Sequence, residues 1–298
     1  MKTYALTCRN HHMQLGFPPC IMGVLNVTPD SFSDGGQFFD TEKAILHAQQ
    51  MVNQGADMID IGGESTRPFA EPVNADEEIK RVVPVISELA QKISVPISID
   101  TSKAAVAAAA IEAGASIIND ISALNDPQMA TVARQASVPI ILMHIQGTPQ
   151  TMQIAPKYTQ IIDEIHKHLS NRIQKALDAG IPKNLILVDP GIGFGKTIED
   201  NYIIIQNLHR FHDLDVPLLV GTSRKSFIRK TLESHYPQFT NDPNAIDCGT
   251  MVTIIMCALA GAHIVRVHNV HQTRITLTIL KSLAGDHISG CLEKSDAS

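Results

Sequence analysis

The amino-acid sequence predicts a single-domain α/β protein, a (β/α)8 barrel of the TIM type. Its 298 residues suit one such barrel, which commonly has about 250. Short apolar segments alternate with amphipathic ones, and eight such pairs fit along the chain. An open, doubly wound sheet is the alternative, but it usually contains fewer units and a glycine-rich phosphate loop after its first strand. We therefore expect one domain over residues 1–298, with the barrel over roughly 19–284 and a polar tail over 285–298.

The predicted strands are continuous apolar runs, as expected for parallel strands that are buried on both faces. They lie at residues 21–27, 58–62, 97–100, 116–120, 139–144, 185–189, 218–221 and 263–268. Helices are predicted at residues 41–55, 103–114 and 161–180, each ending at a glycine. A shorter helix is expected to start near Asp126, with Pro127 in its first turn. The uncharged run at 248–264 is shorter than the about 20 residues that span a bilayer, so it predicts a buried helix leading into a strand.

Composition and charge argue against several classes of protein. The net charge of −6 gives no general attraction to nucleic acid, so an anionic ligand needs a local cluster of cations. The five cysteines are odd in number and include no C-x-x-C pair, which argues against a disulfide framework and a cysteine zinc site. The first residues lack the apolar core of a signal peptide. We expect a cytoplasmic protein that binds neither nucleic acid nor membrane.

Polar residues follow the predicted strands at the ends where barrel enzymes carry their catalytic groups. They are Asn26, Asp100, Asn119 with Asp120, Asp189, Arg224 with Lys225, and Arg266 with His268. Any short polar residue among them could cap the next helix, but lysine and arginine do not cap helix N-termini. Arg266 and His268 lie two apart on one strand, face the same way and could clamp a phosphate. A salt bridge from Arg266 to a neighbouring strand is the alternative.

Three loops after predicted strands have compositions that suit a ligand site. Residues 189–197 read DPGIGFGKT, but this is no P-loop, because Pro190 stands at the first glycine position. Lys196 likewise occupies the third glycine position of G-x-G-x-x-G, so the glycines indicate close approach of a ligand or of backbone. The polar loops at 26–36 and 62–68 are either functional loops or plain turns. The chain has no H-E-x-x-H or comparable metal spacing.

Together, these motifs resemble those of the dihydropteroate synthases. Residues 22–36 (MGVLNVTPDSFSDGG) and residues 62–68 (GGESTRP) are similar to the first two loops of that family. Later family motifs have counterparts, in the same order, at residues 98–103, 118–120, 143–144, 189–191, 223–226 and 266–268. The resemblance covers roughly residues 19–284, and its first two motifs together are highly specific.

The resemblance implies a cytoplasmic homodimer that uses Mg2+ and joins 6-hydroxymethyl-7,8-dihydropterin pyrophosphate to p-aminobenzoate. It implies a pterin site made of Asp100, Asn119, Met143, Asp189 and Lys225. Pyrophosphate would meet Asn26, Arg266 and His268, with Asn26 also near the metal. p-Aminobenzoate would meet Thr66, Arg67, Pro68, Phe194 and Ser226. The residues implied in catalysis are Asp34, Arg67, Asp100 and Lys225, with Asp34 stabilising the cation that pyrophosphate loss leaves.

Two positions depart from the family pattern, and three other functions stay open. Phe69 stands where a glycine is expected, close to the p-aminobenzoate site, and bears on sulfonamide affinity. Ile192 replaces a frequent phenylalanine. A methyltetrahydrofolate methyltransferase domain would share the pterin-binding residues but would not need the first two loops in this form. A Schiff-base aldolase would use Lys225 as nucleophile, with its pKa lowered by Arg224. A non-catalytic pterin carrier is the third, and only turnover excludes it.

Overall fold

The computed structural model describes residues 2–28, 37–65 and 70–284, and for residues 37–40 it describes the backbone alone. Five residues named from the sequence lie outside the described residues: Asp34, Thr66, Arg67, Pro68 and Phe69. The polar tail predicted at 285–298 lies outside them as well. The roles given to these residues therefore stay predictions.

An N-terminal β-hairpin precedes the barrel, and the sequence reasoning missed it. Strand β1 (Tyr4–Cys8) pairs antiparallel with β2 (His11–Leu15), so that Tyr4 faces Leu15 across the hairpin. Leu6 and Cys8 of β1 are buried, whereas most of β2 is half-buried or exposed. The hairpin is therefore held by one apolar side, which packs against the barrel.

Eight parallel strands form the barrel, as the sequence predicts. They are β3 (Cys20–Asn26), β4 (Met58–Gly62), β5 (Ile97–Asp100), β6 (Ile117–Asp120), β7 (Ile140–Met143), β8 (Ile186–Asp189), β9 (Leu219–Val220) and β10 (Ile264–Val267). Their order in the sheet is β8-β7-β6-β5-β4-β3-β10-β9. A parallel bridge between Val188 and Leu218 joins β8 to the residue before β9 and closes the ring. Each strand matches its predicted bounds to within one residue at either end.

Helices cover the outside of the barrel. Among the described residues they are α1 (Gln37–Asn53), α2 (Ala75–Lys92), α3 (Ala104–Ala113), α4 (Met129–Ala136), α5 (Ile161–Asp178), α6 (Ile198–Gln206), α7 (Ser226–His235), α8 (Pro243–Leu259) and α9 (Val270–Ala284). The helices predicted at 41–55, 103–114 and 161–180 are confirmed as α1, α3 and α5. Within the part of the chain that the structure describes, no helix is long and apolar enough to cross a membrane.

The start of α4 differs from the sequence-based prediction. Pro127 does not lie in the first turn of a helix, because α4 begins two residues later, at Met129. The Asp126 carboxylate explains the difference, since it accepts hydrogen bonds from the N–H groups of Gln128 and Ala104 at 2.9 Å each. These bonds hold the segment before α4 in a turn against the start of α3.

The prediction that the run at 248–264 forms a buried helix is only partly right. It forms most of α8 and leads into β10, but α8 has an exposed apolar stripe. The neighbouring helix α9, which packs on α8, has another. The exposed apolar residues of the two helices are Val252, Met256, Ile275, Ile279 and Leu283. In each stripe the residues recur at every fourth position, so they lie on one face of their helix.

The lower end of the barrel, where the strands begin, is filled by apolar side chains. Leu6, Cys8 and Leu15 of the hairpin contact the first residues of the strands there. The strand residues in this cluster are Met22, Met58, Ile117, Ile141, Leu187, Leu219 and Ile264. The hairpin therefore closes the lower end, and the polar residues at the carboxyl ends of the strands lie at the other end, which we call the mouth.

Candidate active site at the barrel mouth

Arg266 is the centre of a buried charge cluster at the mouth. Its Nε donates to Asp60 Oδ2 at 2.6 Å, and its Nη2 donates to Asp100 Oδ2 at 2.6 Å. The Asn119 amide also donates to Asp60 Oδ2, at 3.0 Å. The salt bridge that the sequence offers as an alternative role for Arg266 is thus present. It joins strands β4, β5 and β10 and orders the guanidinium beside Asp100, so it is part of the site rather than an alternative to it.

Asp60 is a site residue that the inspection of strand ends missed. It lies inside β4, between Ile59 and Ile61, and its side chain is fully buried. A charged residue within an apolar strand needs a buried partner, and that was the available signal in the sequence. Among the described residues, Asp60 Oδ1 and Asp100 Oδ1 are buried and have no hydrogen-bond partner. Because buried acceptors are rarely left unpaired, these oxygens mark a place for a ligand with N–H donors.

Lys225 and Asp189 bring further charges to the mouth. Asp189 ends β8, and its Oδ1 accepts from the N–H of Gly191 at 2.7 Å. The Lys225 Nζ lies 3.9 Å from the centre of the Phe194 ring, which is a cation–π distance. A carboxylate, an ammonium group and an aromatic face in one pocket can hold a flat heterocycle that has both donors and acceptors.

Burial moves the pKa values of these charged groups toward neutrality. It raises the pKa of Asp100 to about 7, although Arg266 opposes the rise. It also raises the pKa of Asp189 to about 6. In the same surroundings, burial lowers the pKa of Lys225 to about 8, and the positive charge of Arg266 adds to this shift. Groups that gain or lose protons near neutral pH are typical of ligand and catalytic sites.

The glycine-rich loop passes close to the backbone just after β7, which is one of the two kinds of close approach that its glycines indicate. Gly191 has φ +70°, and a Cβ atom there would lie 1.8 Å from the carbonyl oxygen of His144. Buried Lys196 pins the loop further, because its Nζ contacts His144 Nδ1 at 3.0 Å and donates to the Phe194 carbonyl at 2.9 Å. Burial lowers the pKa of Lys196 to about 7. These contacts fix Phe194 in the position from which it faces Lys225.

Met143 belongs to a small apolar cluster at the mouth. It is buried together with Ile121, Met152 and Phe194. Ile192, which departs from the family pattern, is not part of this cluster and packs in the main core. The replacement at position 192 therefore changes the support of the loop rather than the wall of the pocket.

The loops after β9 and β10 carry Lys225 and His268. His268 Nδ1 lies 3.0 Å from Ser223 Oγ. Arg224 binds both carboxylate oxygens of Asp247, at 2.7 and 2.8 Å, and the positive charge that lowers the pKa of Lys225 is that of Arg266. The prediction that Arg224 lowers the pKa of Lys225 is therefore wrong, because that charge is paired elsewhere.

Asn26 lies at the end of β3, two strands from Asp100, and Gly62 of β4 lies between them. A Cβ atom placed on Gly62 would lie 3.8 Å from Asn26 Oδ1 and 3.7 Å from Asp100 Oδ2. Amide and carboxylate oxygens suit Mg2+, which usually takes one or two protein oxygens and completes its shell with water and substrate phosphates. Among the described residues, no group of three His, Cys, Asp or Glu side chains could hold a metal ion. A Mg2+ ion at Asn26 would therefore need oxygens from a bound phosphate ligand.

Ser226 is the first residue of α7, next to Lys225. A cavity of about 270 Å³ opens beside it and is also lined by Lys196, Phe227 and Lys230. Phe194 and Ser226 are both predicted to contact p-aminobenzoate. Phe194 contacts Lys225 through its ring, and Ser226 follows Lys225 in the chain.

A second set of buried charges supports the second loop, which follows β4. Lys103 Nζ donates to Glu64 Oε2 at 2.5 Å and to Glu78 Oε2 at 2.6 Å. The other oxygen of Glu64 accepts from the N–H of Val73 at 2.9 Å. Glu64 therefore holds two points of the chain, on either side of residues 66–69, to each other and to the barrel. The sequence reasoning assigned no role to this triad.

The structure brings the described residues of the predicted site together at one end of the barrel. They are Asn26, Asp100, Asn119, Met143, Asp189, Phe194, Lys225, Ser226, Arg266 and His268. Each lies at the carboxyl end of a strand or in the loop or helix start that follows it. Their individual roles toward substrates stay predictions.

A barrel whose mouth combines buried carboxylates, an amide, a lysine and an aromatic face can bind a flat heterocycle with donors and acceptors. The family model described as "Pterin binding enzyme" matches residues 22–268. This match covers most of the chain, so the chain belongs to the family of pterin-binding enzymes.

Sequence and structure relatives narrow the class further. The chain is 44% identical to the dihydropteroate synthase of Escherichia coli K12 over 264 residues, which are 89% of this chain and 91% of that protein. It also resembles the structure of Xanthomonas albilineans dihydropteroate synthase with 4-aminobenzoic acid, with TM-score 0.86 and 39% identity over 95% of this chain and 99% of that one. A Yersinia pestis dihydropteroate synthase in complex with a sulfonamide drug gives TM-score 0.84 and 42% identity, over 94% and 98%. Within its family, the chain groups with the dihydropteroate synthases.

Proposed function

We propose that this chain is the transferase that joins 6-hydroxymethyl-7,8-dihydropterin pyrophosphate to p-aminobenzoate, giving 7,8-dihydropteroate and pyrophosphate for folate synthesis. The observation that carries the proposal is the meeting of Asp100, Asn119, Asp189, Lys225 and Arg266 at one barrel mouth. These groups can bind a pterin ring and a departing pyrophosphate, and they occur in a chain that groups with the dihydropteroate synthases.

Pterin recognition would use the buried carboxylates. A pterin presents adjacent N–H donors on its guanidine-like edge, and a buried carboxylate such as Asp189 can accept two of them. Asp100 Oδ1, which has no hydrogen-bond partner among the described residues, offers another acceptor on the strand next to Asn119. Lys225 can donate to the carbonyl side of the ring, and Met143 can pack against it. Carboxylate acceptors at the guanidine-like edge and the Lys225 donor at the carbonyl side would hold the ring in one orientation. That orientation would fix which face of the ring meets the second substrate.

Departure of pyrophosphate would be assisted by positive charge. The bond between the pterin methylene carbon and the pyrophosphate oxygen breaks, and the electron pair leaves with the oxygen. Arg266 and His268 can donate hydrogen bonds to the departing group. Asn26 would hold Mg2+, which supplies further charge neutralisation when it is bound. The methylene cation left behind is conjugated to the ring, and Asp34 is the residue predicted to stabilise it.

Attack by p-aminobenzoate then forms the new carbon–nitrogen bond. Its aromatic amine is neutral at pH 7, so it needs placement more than a strong base, and it loses one proton after attack. Phe194 and Ser226 are the described residues that we propose to place it, together with Thr66, Arg67 and Pro68. This step needs no nucleophile of the protein that is activated by a general base.

Turnover of the two substrates tests the proposal. We expect dihydropteroate and pyrophosphate to form from the dihydropterin pyrophosphate, Mg2+ and p-aminobenzoate. Asp189→Ala and Lys225→Ala should each lower kcat/KM at least about 100-fold, since each removes a buried charged contact to the pterin. Asp213→Ala and Lys167→Ala change exposed residues and serve as matched controls.

The other functions predict different results in the same assay. Tight pterin binding without turnover would favour a methyltransferase or a carrier. Trapping of a carbonyl substrate on Lys225 by borohydride would favour the aldolase. The absence of any pterin binding would contradict the assignment of the site.

We also propose that the chain forms a homodimer through the exposed stripes of α8 and α9. Apolar residues on adjacent helices are a common feature of interfaces between copies of one chain. Val252→Asp and Ile279→Asp, each in one stripe, should shift the mass measured by light scattering from two chains toward one. Ile154→Asp changes an equally exposed apolar residue before α5 and should leave the mass unchanged. A wild-type mass of one chain at all concentrations would contradict the proposal.

A cytoplasmic location is proposed as well. Cys8, Cys20, Cys248 and Cys257 are all free in the structure, as expected for a reducing compartment. Burial raises the pKa of Cys8, Cys20 and Cys257 to about 12, so these thiols stay protonated. Fractionation of cells that produce the chain, with a cytoplasmic marker enzyme as reference, checks the location.

A further inference from the structure

Ser223 and His268 lie side by side because two strands run in register. Strand β10 pairs in parallel with β9, with Ile264 opposite Leu219. Ser223 and His268 each come four residues after these partners, at the point where the chain enters its loop. Ser223 is almost fully buried there. The sheet therefore delivers the hydroxyl and the imidazole to the same level of the mouth.

Two hydrogen bonds join the pair. The backbone N–H of His268 donates to Ser223 Oγ at 3.2 Å. The same oxygen lies 3.0 Å from His268 Nδ1. A serine hydroxyl has one hydrogen to donate, and its oxygen already accepts from the backbone. Its second lone pair could also accept from Nδ1–H, so the hydroxyl donates to Nδ1 only in the tautomer whose hydrogen is on Nε2.

A third side chain holds the two loops at a fixed distance. Arg224, which follows Ser223, binds both oxygens of Asp247 on α8. Asn269, which follows His268, donates to Asp247 Oδ2 at 2.9 Å. Because one carboxylate holds the next residue of each loop, Ser223 and His268 cannot drift apart without breaking this clamp.

We propose that Ser223 is a positioning residue that fixes the tautomer of His268, so that Nε2 carries the hydrogen and donates it to the departing pyrophosphate. A neutral imidazole has one N–H, and a ring protonated on Nδ1 would turn a lone pair on Nε2 toward phosphate oxygens. The proposal rests on the pyrophosphate role of His268 in the proposed function. It adds the residue that decides which nitrogen donates.

The tautomer can be measured without any activity. In full-length protein with 15N-labelled histidine at pH 8, the two ring nitrogens of His268 give distinct chemical shifts, and His268→Gln identifies them. We expect Nδ1 to be unprotonated and Nε2 protonated in the wild type. Ser223→Ala should move both shifts toward the values of a mixture of tautomers, and Ser223→Thr, which keeps the hydroxyl, should restore them.

A second serine–histidine pair in the chain provides a matched control. Ser234 Oγ lies 2.8 Å from His235 Nδ1 on the exposed end of α7. Ser234→Ala should change the signals of His235 alone. Titration of Mg2+ and inorganic pyrophosphate into the protein should show binding about three- to tenfold weaker in Ser223→Ala, as expected for one lost hydrogen bond. Ser223→Thr and Ser234→Ala should bind like the wild type.

The two readouts separate failure of the inference from failure of the proposed function. A wild-type His268 protonated on Nδ1 would overturn the inference, whatever the activity. So would a Ser223→Ala variant whose tautomer and pyrophosphate affinity equal those of the wild type. If wild-type protein does not bind pyrophosphate, the proposed pyrophosphate site is wrong, and the role given to Ser223 falls with it.

Discussion

The two ends of the barrel use the same strands in opposite ways. At the lower end the strand residues that point inward are apolar, and the hairpin covers them. At the mouth the same strands carry Asp60, Asp100, Asn119, Asp189 and Arg266, most of them buried. The lower end therefore buries apolar groups, whose removal from water is favourable. The mouth buries charged and polar groups, whose removal from water is unfavourable.

This difference separates stability from function within one fold. Apolar burial at the lower end stabilises the folded chain at every pH. Buried carboxylates at the mouth oppose folding unless Arg266 or a ligand compensates their charge, and burial raises the pKa of Asp100 and Asp189 for that reason. We infer that changes at the lower end affect folding alone, whereas changes at the mouth affect folding and ligand binding together.

Arg266→Met should have the largest effect on the free energy of unfolding. Arg266 is largely buried and compensates both Asp60 and Asp100, so its loss leaves two buried carboxylates unpaired. We expect the variant to lose about 4 kcal/mol at pH 8, measured by urea unfolding. The loss should be smaller at pH 6, because the pKa of Asp100 is higher in the folded than in the unfolded state. Lowering the pH therefore stabilises the folded state, in which Asp100 binds a proton and loses its buried charge.

An arginine–aspartate pair at the lower end provides the matched comparison. Arg274 Nη2 donates to Asp57 Oδ2 at 2.7 Å just before β4, and about one third of each side chain is exposed. Arg274→Met should lose only about 1 kcal/mol, since solvent screens this pair. Equal losses in the two variants would show that burial does not distinguish the ends of the barrel.

Leu187→Ala should be the next largest change, and it should leave activity intact. Leu187 is fully buried in the cluster at the lower end, on the strand that ends in Asp189. Truncation removes apolar contact and leaves a cavity, so we expect a loss of about 3 kcal/mol in urea unfolding. Because the mouth is built from the opposite end of the strand, kcat/KM per folded molecule at 20 °C should stay within about twofold. A tenfold fall in kcat/KM would show that the two ends are coupled.

Much of the fold and the site could be predicted from the sequence, because parallel strands that are buried on both faces leave continuous apolar runs. The ends of those runs located Asp100, Asn119, Asp189, Lys225 and Arg266. The hairpin could not be found in this way. Its second strand is half polar, and it is stabilised by contact with the barrel rather than by a pattern of its own.

Residues whose roles depend on distant partners were also missed. Asp60 binds Arg266, which lies 206 positions away in the chain, and Ser223 binds His268, 45 positions away. The sequence gives the residue types but not the register that brings them together. The error about Arg224 has the same origin, since a neighbour in sequence was given more weight than Asp247, its partner in the structure.

Asp189→Asn should change the free energy of unfolding about as little as Arg274→Met does, but with the opposite sign. Burial raises the folded-state pKa of Asp189 to about 6 from the model-peptide value of 3.8. A raised pKa in an acid means that the ionised group opposes folding above about pH 6, and that this penalty disappears as the pH falls toward 3.8. Asparagine removes the charge but can still accept from the N–H of Gly191, so the variant should gain about 1 kcal/mol at pH 8.

The pH dependence decides whether this gain comes from the buried charge. The difference in urea midpoint between Asp189→Asn and the wild type should shrink between pH 6 and pH 4, because the wild-type carboxyl becomes neutral over that range. Dihydropteroate formation should fall at least about 100-fold in the same variant at pH 8, since asparagine cannot accept two donors from the pterin edge as a carboxylate can. A variant that is less stable than the wild type at pH 8 would show that Lys225 fully compensates the buried charge of Asp189. This residue of the mouth would then stabilise the fold, as the residues of the lower end do.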